Sequence, residues 1–162
     1  MLTLAAPTIE NGLDQSEREG IVSLLSAVLD DIYSLMVRTQ VYHWNVEGPL
    51  FEPVHNLTQA QYTTLFSAID ELAERIRALD GKPAVKISGF PTGVANLPEH
   101  QSAEDMIADL VRHHEAVVRR MRAAVAEAEK ACDVVTADML TGFMGRHEKD
   151  AWTVSGAVTP HS

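Results

Sequence analysis

The stretch Phe51-Glu-Pro-Val-His55 … Asp70-Glu-Leu-Ala-Glu74-Arg75 … Gly81-Lys-Pro83 reads as one long helix with two working faces. Pro53 falls in the first turn, where its missing N–H costs nothing, and Gly81 with Pro83 beyond it marks the end. Leu65, Ile69, Leu72, Ile76 and Leu79 step by three or four along a core stripe. His55, Gln59, Tyr62, Phe66, Asp70 and Glu74 step the same way along a second face. Aromatic groups mixed with ligand-type side chains are out of place in solvent and natural at a subunit contact. His55 and Asp70 are 15 residues apart, so at helical rise they stand about 22 Å from each other. A metal ion holds its ligands at about 2–2.6 Å. These groups therefore cannot share an ion within one chain. Fifteen steps of about 100° leave them roughly 60° apart around the axis. An antiparallel copy across a two-fold axis can bring His55 of one chain to Asp70 and Glu74 of the other.

Working outward, Ser16 followed by Glu19 fits a capping box and predicts a helix from Ser16 to about His43, before Gly48-Pro49. Its stripe is Ile21, Leu25, Val28, Ile32 and Leu35. Residues 1–15 lack sustained periodicity and are expected to form a flexible tail. Pro83, Gly89, Pro91, Gly93 and Pro98 make residues 82–101 a crossover with at most a short helix. A third helix follows Ser102 as N-cap, with Ile107, Leu110, Val117, Met121 and Val125. A fourth runs from Thr136 to about Val154, bearing Leu140, Phe143 and Trp152. No strand pattern or internal repeat appears. Four amphipathic helices with the long connection between the second and third read as an all-α, ferritin-like four-helix bundle. That connection keeps helices two and three parallel. The expected domain spans residues 16–156, with a short tail at 157–162.

The chain of 162 residues is 46% hydrophobic, enough for one real core. Thirteen Lys and Arg against 23 Asp and Glu give a net charge of −10, which argues against general affinity for polyanions. The single cysteine, Cys132, excludes an intrachain disulfide and fits a reducing compartment. The N-terminus has no basic region ahead of its apolar residues, so it is not read as a secretory signal. No unbroken apolar run approaches a membrane span. A soluble, cytoplasmic protein is expected.

The segment His43-Trp44-Asn-Val-Glu-Gly-Pro-Leu-Phe51, followed by His55 and by Asp70-Glu-Leu-Ala-Glu74-Arg75, resembles the ferroxidase signature of the Dps proteins, or miniferritins. The similarity runs from about Ser16 to Trp152. It implies a hollow shell of twelve identical subunits with two iron sites at each two-fold interface. His43 and His55 would come from one subunit and Asp70 and Glu74 from its neighbour, with Glu74 bridging two irons. Members of this family couple oxidation of two Fe(II) to reduction of one hydrogen peroxide and store ferric mineral in an acidic cavity. Trp44, next to His43, would serve as a local electron donor. Asp133 and Asp138 would line a three-fold pore for iron entry. One position departs: many members carry an aspartate one turn after the second histidine, where this chain has Gln59. A neutral amide supplies no charge, which weakens the second iron position.

Each residue also has a plainer reading. Lone histidines are usually packed groups, exposed acids a solvated face, and Asp133 and Asp138 helix-start carboxylates favoured by the macrodipole. Trp44 is equally well explained by packing, and nothing marks Cys132 as a nucleophile. Glu52-x-x-His55 is a rival signal, since bundle-internal di-iron proteins use Glu-x-x-His, but they need two such motifs. His114 and His147 fall on the apolar stripes of helices three and four, where core histidines are the expectation. His113-His114-Glu115 as a unit reads as a solvated face. The other functional class is a DNA-binding nucleoid protector working through basic tails. Residues 1–17 and 150–162 hold no Lys or Arg, so DNA binding is not expected, although Arg112, Arg119, Arg120 and Arg122 cluster on the third helix.

Overall fold

The structure is a computed structural model of the single chain and describes residues 10–84 and 102–157. Four helices account for it: α1 (Gln15–Asn45), α2 (Phe51–Ala78), α3 (Ala103–Lys130) and α4 (Val134–Gly156), with no strand among the described residues. The tails 1–9 and 158–162 and crossover residues 85–101 lie outside the described residues, so the expected short helix there does too.

Local chemistry sets the ends. The α1 cap is Asp14, not Ser16: its carboxylate accepts from Glu17 N–H, and Glu17 returns the bond to Asp14 N–H. An ionised acceptor at a helix start is stronger than a hydroxyl, so the competing box two residues earlier wins. Ser102 caps α3 as expected, accepting from Asp105 N–H. Asp133 caps α4, which starts two residues before Thr136. α2 and α3 stop alike. Asp80 (φ 68°) and Cys132 (φ 57°) take the left-handed conformation, while Gly81 N–H and Asp133 N–H return to the carbonyls of Ile76 and Ala128, both at 2.9 Å. Gly81 is thus not the left-handed residue. It is required for space, since a Cβ there would stand 2.8 Å from the methyls of Ile76 and Val22.

Packing follows the predicted stripes. Ile21, Leu25, Val28, Ile32 and Leu35 of α1 are all buried, as are Leu65, Leu72, Ile76 and Leu79 of the second stripe, while Ile69 is half-buried. Each buried Leu or Ile contributes about 1.5–3 kcal/mol relative to exposure. In α4, Leu140 and Phe143 join this core, but Trp152 is 74% exposed and lies off the apolar stripe. Between α1 and α3, Arg38 meets Asp109 and Asp31 meets Arg120. These pairs run in opposite chain directions, so α1 and α3 are antiparallel. Since α1 and α2 form a hairpin, α2 and α3 are parallel, as the ferritin-like connection requires. α1 has the length and hydropathy, 1.6 over eighteen residues, that a membrane span could show. A search for unbroken apolar runs passes over it, and in the fold its stripe faces the bundle core.

Candidate metal centre

The turn after α1, with Gly48 at φ 84°, folds the first turn of α2 back against the last turn of α1. His43 and His55 meet there, rings stacked with centroids 3.8 Å apart. His43 Nδ1 lies 2.9 Å from the His55 carbonyl oxygen, and His55 Nδ1 lies 2.9 Å from that of His43. A carbonyl only accepts, so each Nδ1 carries a proton, and the tautomer these bonds favour has its lone pair on Nε2. The His43 carbonyl is one of the last four of α1 and has no intrahelical donor, so His55 also caps that helix. Phe51 stacks on the far side of His55, and Tyr62 meets His43 edge-on. Both rings are thus held in place through Nδ1, with Nε2 the nitrogen left for a ligand.

Asp70 and Glu74 are exposed on α2, well along the helix from His55. Neither forms an ion pair among the described residues, and the neighbouring arginines are used elsewhere. Arg75 binds Asp133 and Arg77 donates to the Gly81 carbonyl. Among the described residues no three His, Cys, Asp or Glu side chains gather where one ion could be held. The two half-sets are therefore separate in one chain. The face that joins them is apolar, with Phe66 at 66% exposure and a groove of about 340 Å³ against Met36, Gln40, Tyr62 and Thr63. Trp44 is 65% exposed beside the histidine pair.

The two candidate pore acids differ. Asp138 is exposed. Asp133 is buried and doubly engaged, receiving Arg75 at 2.7 and 2.9 Å and capping Thr136 N–H at 3.0 Å. Burial alone would raise its carboxyl pKa, but the Thr136 and Arg75 hydrogen bonds together hold it below the usual range. Nothing at Arg75 in the sequence marks this pair, because its partner lies 58 residues away. A second network escapes the sequence for the same reason: Tyr42 and Arg38 of α1 both donate to Asp109 of α3, at 2.6 and 2.7 Å. Burial, then the Asp109 bond, pushes the Tyr42 phenol up to about 12. His113 packs beside Asp109, Glu115 is exposed, and His114 is buried against His147, so these three do not form one solvated face.

A family profile for the ferritin-like domain matches residues 22–159. A DNA protection during starvation protein of Porphyromonas gingivalis is 30% identical over 150 residues, 91% of this chain and 94% of that protein. The chain belongs to the Dps family. A Nostoc protein named as an uncharacterized low temperature-induced protein is 42% identical over 157 residues, covering 94% of this chain and 87% of the relative. The X-ray structure of Dps from Thermosynechococcus elongatus superposes with a TM-score of 0.83 at 27% identity, over 91% of this chain and 96% of that one.

Proposed function

We propose that this Dps protein oxidises Fe(II), with hydrogen peroxide or oxygen, at sites shared between two subunits, and stores ferric mineral inside a cytoplasmic shell of twelve. The observation that carries the reading is the locked His43–His55 pair at one end of an apolar face, with free Asp70 and Glu74 carboxylates at the other. Packed antiparallel on a second copy, each end meets its complement. The imidazoles suit Fe(II), and the carboxylates stabilise the harder Fe(III) that oxidation produces. Two Fe(II) supply both electrons that take one peroxide to water. Trp44 stands where a nearby electron donor is useful, and Gln59 weakens the second iron position by withholding a charge. Asp138, exposed and unpaired among the described residues, is the better iron-attracting acid, because Asp133 is already neutralised by Arg75. The DNA-binding alternative loses ground: Arg112, Arg119, Arg120 and Arg122 each pair with an acid.

The test mixes subunits. Chains carrying His43→Ala and His55→Ala are co-assembled with chains carrying Asp70→Ala and Glu74→Ala, and peroxide-driven Fe(II) oxidation is followed without oxygen. In a mixed two-fold pair one site keeps all its ligands, so part of the activity returns. Verified mixed assemblies with no recovery would place all ligands in one chain and refute the reading.

A further inference from the structure

His114 of α3 and His147 of α4 are 0% and 3% exposed in the core, and their Nδ1 atoms stand 3.0 Å apart. The centroids are 5.1 Å apart and the rings tilted by 59°, so the rings meet edge to edge through one hydrogen bond. One Nδ1 donates and the other accepts. His114 Nε2 has no hydrogen-bond partner. A buried lone pair costs less than a buried unpaired N–H, so His114 donates through Nδ1 and keeps a bare Nε2. His147 accepts and holds its own proton on Nε2.

We propose that the His114–His147 pair is an acid-sensitive latch between α3 and α4. Neutral, it closes the core of that half of the bundle; protonated on both rings, it drives the two helices apart. One added proton still allows a single Nδ1–H···Nδ1 bond between the rings, at the expense of a charge in the core. The second leaves no acceptor between the rings and sets two N–H groups and two positive charges face to face. Among the described residues the surroundings offer one carboxylate, Asp150. On α3 the neighbouring ionisable group is His113 and on α4 it is Arg146, both opposing a proton on the pair. Asp150 lines the same small cavity as His147, and burial raises its own pKa, so it holds its negative charge less firmly than a free carboxylate as pH falls. α2 faces that cavity with Thr64, Leu65 and Ala68. The α1 charges Arg38 and Asp31 act on His113 instead.

Burial, reinforced by the neighbouring positive charges, lowers His114 from 6.5 to about 3 and His147 to about 4. The unfolded chain takes up these protons near 6.5 and the folded chain does not. The latch therefore contributes fully above pH 6.5, and its contribution is lost as pH falls from there toward about 3.

The assay is imidazole C2–H exchange, read by peptide mass spectrometry on the intact assembled protein across pH, alongside far-UV circular dichroism. Both rings are expected to stay neutral until helicity falls. The double variant His114→Leu with His147→Leu, and separately His147→Gln, which keeps an acceptor but cannot titrate, should unfold at lower pH by about half a unit or more. The double variant should take up two fewer protons in the transition. Either histidine titrating near 6.5 in the folded protein overturns the latch, as do variants that unfold at the unchanged pH with unchanged proton uptake. Should both variants fail to fold at neutral pH, the exchange profile of the unsubstituted protein decides alone. None of this depends on iron chemistry.

Discussion

Replacing Asp133 by alanine removes two things at once, and the structure sets the size of each. The N-cap of α4 is lost, which costs about 1 kcal/mol. Arg75 is left without the carboxylate it grips at 2.7 and 2.9 Å, a carboxylate with only 2% of its side chain exposed. Breaking a buried pair from one side costs about 3–5 kcal/mol. Arg75 is 15% exposed and keeps its Thr136 contact, so the lower end applies. Asp133→Ala is therefore expected to destabilise by about 3–4 kcal/mol. Asp133→Asn keeps a good cap and loses only the charge, at about 1–2 kcal/mol. Urea unfolding at fixed protein concentration measures both. A cost below about 1 kcal/mol for alanine, or equal costs for the two variants, would refute the assignment of Asp133 to a structural joint. The same logic predicts that Asp138→Asn, and not Asp133→Asn, slows Fe(II) oxidation at low iron, with the loss shrinking at high salt.

Gly81→Ala forces a methyl onto Ile76 and Val22 and should cost about 1–3 kcal/mol by thermal or urea unfolding; a neutral result would mean the α1–α2 contact yields easily. Tyr42 should ionise well above the ordinary phenol range, with its phenolate absorbance rising only near pH 12. Its pKa is raised on folding, so its contribution is intact below pH 10 and is lost as pH climbs through about 12. Tyr42 ionising near 10 with the helices intact would contradict the Asp109 bond. At neutral pH in roughly physiological salt with chelator, plasmid DNA should migrate unretarded. A gel shift by nucleic-acid-free protein would revive the nucleoid-protector reading.

The bundle was legible in sequence because its signals are periodic and local. The α1 stripe from Ile21 to Leu35 and the Ser102 cap need only nearby residues to be read. The spacing of His55, Asp70 and Glu74 likewise showed that these groups stand apart in one chain, since helical rise converts residue number into distance. What escaped was either a contest between neighbours or a meeting of distant residues. Asp14 outcompetes Ser16 through charge, which counting positions does not weigh. The Arg75–Asp133 and Tyr42–Asp109 contacts, and the head-on approach of His114 to His147, exist only after four helices have docked. The carbonyl bonds that fix the histidine tautomers depend on the α1–α2 turn, so no motif announces them.

The left-handed residues Asp80 and Cys132 leave room for engineering. Helix stops of this form are most comfortable with glycine, and a side chain held at φ 68° or 57° costs up to about 1 kcal/mol at each place. The chain thus tolerates two avoidable strains at the same end of its bundle. Asp80→Gly and Cys132→Gly offer a thermostabilising pair that touches neither the histidines nor the carboxylates of α2. The second change also removes the only thiol, which would free the protein for site-specific labelling with cysteines placed at will.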